Sequence, residues 1–130
     1  MKSINLKVFH REGSKKQYEC IYEGSALYEE NEYLLYQDDQ SVTKVLWNQK
    51  ESQMTIFRQS EIKTLLKLNL GNWGTIIVQS DFGEMQLKNK TKIIQITQEQ
   101  WIAEYDVING NERMNNRFIW IMKENKNEQS

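Results

Sequence analysis

Proline is absent from this 130-residue sequence, and alanine occurs only at Ala26 and Ala103. An average protein carries about 5% proline. Asn, Gln, Ile and Lys are used heavily instead. Codons for Asn, Ile and Lys are AT-rich, so the bias reads as the imprint of an AT-rich genome rather than as a functional adaptation. Cysteine is almost missing. Cys20 alone excludes an internal disulfide and most cysteine-built metal sites. No apolar run approaches the roughly 18 residues needed to cross a bilayer. Lys2 and Lys7 interrupt what would be the apolar heart of a signal peptide. A cytoplasmic setting without membrane contact is the expectation. Neither charge sign dominates: 17 basic and 18 acidic residues give a net −1. Nucleic-acid binding driven by bulk charge is therefore not expected.

Recognisable catalytic devices are missing too. There is no Walker-type phosphate loop, no glycine-rich dinucleotide fingerprint and no nucleophile-elbow serine. Gly71-Asn72-Trp73-Gly74 reads as a hairpin loop. His10 and Cys20 lie on neighbouring N-terminal segments, yet a free cysteine usually behaves as a small buried hydrophobe. Carboxylates at metal-ligand spacing do not accompany His10. The sequence therefore predicts no enzyme, no cofactor and no metal.

What is present is a period of two. Ile4, Leu6, Val8 and His10 alternate with polar or outward positions, as do Tyr18, Cys20, Tyr22 and Gly24, then Met54, Ile56 and Arg58, and finally Trp101, Ala103, Tyr105 and Val107. Residues two apart share one face of a strand. Turn-type clusters fall mostly 8–12 residues apart, the rhythm of an all-β sandwich or barrel. The pattern predicts ten or eleven strands: 3–11, 17–28, 32–37, 42–48, 53–59, 61–68, 75–80, 84–88, 92–97, 100–108 and 113–123. The stretch 59–70 also fits a helical stripe, but its alternation favours a strand. Asn109-Gly110 predicts a type I′ hairpin turn joining the last two strands. Residues 1–123 form one domain in this reading, and 124–130 a polar tail. So many strands must close on themselves, which gives a single antiparallel up-and-down barrel.

Candidate site residues are polar groups on apolar strand faces. Arg58 shares a face with Met54 and Ile56. If that face is interior, Arg58 needs either an internal carboxylate, such as Glu104 or Asp106, or a ligand anion. Lys44, in line with Val42 and Leu46, is a second inward candidate, although lysine near a strand end often reaches back to water. Lys88, Lys90 and Lys92 surround an expected hairpin at Asn89-Lys90 and read as a solvated edge. Trp47, Trp73, Trp101 and Trp120 read as core.

The runs Tyr33-Leu34-Leu35-Tyr36, Thr43-Lys44, Met54-Thr55-Ile56-Phe57-Arg58, Phe82-Gly83-Glu84-Met85, Thr91-Lys92-Ile93-Ile94 and Tyr105-Asp106-Val107 together resemble the YwiB-like proteins, a family of small uncharacterised bacterial proteins. The resemblance spans roughly residues 3–123. It departs at Ser60, where that family has glycine two residues after the arginine, and at Gln37, which delays the acidic residue after the tyrosine pair. The resemblance implies a calycin-type, lipocalin-like barrel in a bacterial cytoplasm. It also implies a polar set of Tyr36, Thr43, Lys44, Arg58, Thr91 and Tyr105. The functional expectation is a small amphipathic or anionic ligand held in the barrel, with a non-enzymatic homodimeric interaction barrel as the alternative.

Overall fold

The structure is a computed structural model and describes residues 2–124; the expected tail from 125 onward lies outside the described residues. Ten antiparallel strands form the chain: β1 (Lys2–Glu12), β2 (Glu19–Glu29), β3 (Tyr33–Gln37), β4 (Val42–Asn48), β5 (Gln53–Gln59), β6 (Lys63–Asn69), β7 (Trp73–Ser80), β8 (Gly83–Ile96), β9 (Gln100–Asn109) and β10 (Glu112–Glu124). Each strand pairs with its sequence neighbours, and β1 closes the barrel against β10. The expected up-and-down barrel is thus observed, and 63–69 is strand rather than helix.

The even-odd pattern sets which side chains fill the interior. Leu6, Val8, Leu34, Val45, Met54, Leu68, Trp101 and Trp120 are under 2% exposed and pack the middle of the lumen. This core is dense enough that the centre of the barrel is filled by side chains rather than left as a chamber. Trp73 departs from the expectation: it stands on the outside, 49% exposed.

Two bulges shift the side-chain parity. Between β1 and β2 the register steps so that Val8 faces Tyr22 and Phe9 faces Cys20, leaving Ile21 as the extra residue. Between β8 and β9 Lys92 is the extra residue. A bulge adds one residue to one strand and turns the following side chains over. The hairpin expected at Asn89-Lys90 does not exist. The segments 84–88 and 92–97 are one strand, β8, passing straight through Asn89. Asn there is not a turn residue but a buried bridge. Its Nδ2 donates to the Lys67 carbonyl at 3.0 Å and the Thr75 carbonyl at 3.4 Å, and its Oδ1 accepts from the Thr91 hydroxyl at 3.2 Å.

Gly74 makes this bridge fit. A Cβ at Gly74 would run into the Lys67 carbonyl oxygen and lie 2.9 Å from both amide atoms of Asn89. The start of β7 is therefore pressed between β6 and β8, and β6 continues past it to touch β8 through the Leu70–Thr91 bridge. Turn chemistry closes the other ends. Asp38 Oδ1 accepts from the backbone N–H groups of Gln40 and Ser41, both at 2.8 Å, an Asx-type turn between β3 and β4.

The last hairpin forms as expected, but its frame is shifted by one residue. Asn109 pairs with Glu112, so the two central residues are Gly110 and Asn111. Gly110 has φ +64° and neither Asn109 nor Asn111 has a positive φ. That is the type II′ pattern, which places glycine first, rather than type I′.

Gly74→Ala is expected to lower unfolding free energy by about 3 kcal/mol, because backbone rather than a flexible side chain must yield; urea denaturation measures it. Gly110→Val forces a β-branched residue into the left-handed region at a cost of about 1–3 kcal/mol. It should lower the melting temperature by about 5–10 °C, and an unchanged melting temperature would contradict the turn geometry.

Candidate functional site

One end of the barrel carries the β1–β2, β3–β4, β5–β6, β7–β8 and β9–β10 turns. Just inside it, register aligns a single inward-facing row. Tyr36 on β3 lies opposite Thr43 on β4, Thr43 opposite Arg58 on β5, and Arg58 opposite Thr64 on β6. Thr64 then faces Val78 on β7, and Val78 faces Met85 on β8. Tyr36 and Thr43 are buried, whereas Arg58 is exposed at the rim. Three of the sequence-predicted residues therefore meet: Tyr36, Thr43 and Arg58.

The opposite wall is aromatic. The His10 and Phe118 rings stack at 4.4 Å, Phe118 lies 5.4 Å from Trp120, and Tyr22 leans on Tyr36 at 4.7 Å. His10 Nε2 is 2.9 Å from the Asn116 side-chain oxygen. Trp120 donates its indole N–H to the Tyr36 hydroxyl at 3.2 Å, tying the two walls together. Burial pushes the Tyr36 hydroxyl up to about 12, against the opposing pull of hydrogen bonds from Trp120 and Thr43 and the Arg58 charge. Tyr36 is thus a neutral hydrogen-bonding group at any physiological pH.

Among the described residues no carboxylate forms an ion pair with Arg58. Among the described residues neither candidate partner is free to serve it, since both belong to clusters on the outer wall. Glu104 pairs with Arg117 at 3.0 Å and Arg11 at 3.5 Å, and Asp106 with Lys92 at 3.1 Å and Arg113 at 3.5 Å. The negative group within electrostatic range of Arg58 is Asp38, which its turn hydrogen bonds and the arginine charge hold below the usual carboxylate range.

The other predicted residues lie elsewhere. Lys44 faces outward with Val42 and Leu46, its ammonium 5.2 Å from the centre of the Tyr33 ring. An inward lysine would have been desolvated without a partner, and the parity places Thr43 and Val45 inside instead. Thr91 is inside but serves the Asn89 bridge. Tyr105 lies deep on the far wall beside Phe118 at 6.3 Å, its hydroxyl held neutral by burial and by the Glu12 charge. Cys20 and His10 point to opposite faces, so they form no pair.

Sequence reasoning missed Tyr22, His10 and Phe118 as mouth residues. Simple alternation groups Tyr22 on one face with Cys20, and the bulge at Ile21 separates them. Beside Tyr22 the β2–β3 ladder stops. Its three pairs run from Leu27–Leu35 to Glu29–Tyr33. Beyond Leu27 the strands part, and a groove of about 330 Å³ opens, lined by Tyr22, Ser25, Ala26, Leu27, Leu35 and Tyr36. It runs from the outer wall to the Tyr36 ring.

Tyr36→Phe strands the buried Trp120 N–H and should cost about 1–3 kcal/mol at neutral pH. The wild-type protein should also lose stability as pH rises from about 10, where the unfolded tyrosine ionises, to about 12, where the folded one does. Denaturation at pH 9 and pH 11.5 should show a smaller alkaline loss in the Phe variant.

Comparison with known proteins fits this architecture. The YwiB protein of Bacillus subtilis, known as a crystal structure, superimposes with a TM-score of 0.62 at 21% identity, covering 93% of this chain and 92% of that one. A search of curated proteins returns no match. Residues 3–119 match the family described as Domain of unknown function (DUF1934). Over nearly its whole length, then, the chain is a member of the DUF1934 family, in agreement with the YwiB-like resemblance carried by its motifs.

Proposed function

We propose that the barrel binds a small amphipathic anion at its turn-bearing mouth, with the anionic group on Arg58 and Thr43 and the apolar part in the groove between β2 and β3. The observation that carries this reading is Arg58 itself. It is an arginine in an inward-facing row, beside two oriented hydroxyl groups, with no carboxylate clamped to it among the described residues. A planar guanidinium suits carboxylate, sulfonate or phosphate. The groove volume lies at the small end of ligand pockets, and its apolar floor of Leu27, Leu35 and Tyr22 suits a short hydrocarbon or an aromatic ring. The filled centre confines such a ligand to the mouth, unlike the deep chamber of a lipocalin-like carrier. This is a binding role with no catalysis, and a cytoplasmic one.

One observation favours a second reading, a homodimer. On the side where β3 falls away, β2 keeps an unpaired edge next to exposed Ile21 and Leu27, and such edges accept another strand.

Anilinonaphthalene sulfonate is a suitable probe of the mouth. Arg58→Ala should weaken its binding at least about 10-fold, the value of one charge-assisted hydrogen bond. The same change should leave stability within about 0.5 kcal/mol, because no buried partner is stranded. Equal affinity in both proteins would overturn the mouth site. Native mass spectrometry of gently purified protein reads the alternative directly: a retained small adduct supports the ligand, and a clean dimer supports the second reading.

A further inference from the structure

We propose that the outer wall from β6 round to β1 binds single-stranded nucleic acid, with a depression beside Trp73 receiving one nucleotide. The near-zero net charge of the chain conceals a local concentration of cations. Lys67, Lys88, Lys90, Lys92, Arg113, Arg117 and Arg11 all lie on this wall, on neighbouring strands. Among the described residues only two carboxylates, Glu104 and Asp106, are paired with any of them. Negative charge gathers on the other side, where Glu29, Glu30 and Glu32 crowd the β2–β3 turn.

The seven cations divide into two groups. Arg11 and Arg117 share Glu104, and Lys92 and Arg113 share Asp106, which is almost fully buried. These pairs leave positive charge over, and Nε of both Arg11 and Arg117 is buried without a hydrogen-bond partner. Lys67, Lys88 and Lys90 form no ion pair among the described residues, although Lys90 lies across the ladder from Asp106. Lys90 pairs across the ladder with Trp73, which is half exposed on the surface, and Lys67 and Lys88 flank Thr75 two residues along. Lys90 sits 5.3 Å from the centre of the Trp73 ring.

Between them lies a depression of about 260 Å³, walled by Lys67, Lys88, Trp73 and Thr75 and floored by Gly74. Gly74 lets β6 and β8 press close beneath this depression, and the buried Asn89 bridge holds the strands that floor it. Two ammonium groups, a hydroxyl and an aromatic wall around a space of nucleotide size match a phosphate, a sugar and a base. Proteins that bind single strands combine a basic track with aromatic platforms in this way. A basic wall with a stacking residue selects a nucleic acid over an acidic protein, which offers no bases to stack.

The test is fluorescence anisotropy of labelled 12-nucleotide oligouridylate and oligothymidylate with the intact protein. Binding should weaken with salt at a log–log slope of about −2 to −3, as expected for three to four phosphates released from counterions. Lys67→Glu with Lys88→Glu should weaken it at least about 30-fold. Both side chains are exposed, so the fold should survive, and circular dichroism checks this. Lys44→Glu, on the opposite wall, should change it less than twofold. The oligonucleotide should quench tryptophan fluorescence in the wild type and fail to do so in Trp73→Phe. Stronger binding of oligouridylate assigns the site to RNA, and stronger binding of oligothymidylate to DNA. No binding in 50 mM salt would overturn the proposal. So would equal affinity in the double variant, or displacement by inorganic polyphosphate with no Trp73 signal, which would reduce the wall to a general anion adsorber.

Discussion

Much of this barrel depends on one buried amide. Where β7 begins, three strands crowd together, and β6 reaches past β7 to touch β8 directly. The backbone carbonyls of Lys67 and Thr75 both accept from the Asn89 side chain there. An unpaired buried carbonyl is costly, and water has no room to replace the amide once Gly74 has closed the gap. Gly74 and Asn89 are therefore a matched pair: one gives up volume and the other supplies hydrogen bonds. The inner face gains a continuous wall where β6, β7 and β8 meet.

The same logic of what must be satisfied explains the uneven polarity of the two faces. At the mouth, Tyr36 is satisfied by Trp120 and Thr43, while Arg58, at the rim, is left to solvent. On the outer wall, Asp106 is nearly buried and needs Asn115, Lys92 and Arg113 around it. Burial alone would raise its carboxyl, but those hydrogen bonds and charges prevail and hold it below the usual range. A buried carboxylate recruits cations, and those cations concentrate positive charge on one wall of a nearly neutral chain.

The strands and their faces were legible wherever side chains alternate cleanly. Met54, Ile56 and Arg58 share a face in the sequence and in the barrel. The placement of Thr43 opposite Lys44 was legible too, but not which of them points inward, because Val42, Val45, Leu46 and Trp47 put apolar residues on both sides of β4. Bulges leave no signature in composition. Ile21 and Lys92 each turn over the residues that follow, so Tyr22 was assigned with Cys20 rather than with Tyr36. Asn89 misled for a related reason. Between two lysines an asparagine reads as a turn, and only tertiary contact with β6 and β7 makes it a strand residue. The gathering of cations was equally hidden, since it depends on register across six strands.

The short β2–β3 ladder has a consequence for how the chain assembles. In this topology nearly all pairings join sequence neighbours, so loop-closure entropy is small at each step. Only the β1–β10 ladder joins the chain's extremes, and it has nine pairs, from Ile4–Glu124 to Glu12–Asn116. The β1–β2 hairpin is held on one side by those nine pairs and on the other by three. It behaves as a stave fitted last into a nearly complete cask, fastened by its long edge and leaving its short edge ajar. Native-state opening then begins along that short edge, and the groove beside Tyr36 widens without disturbing the core.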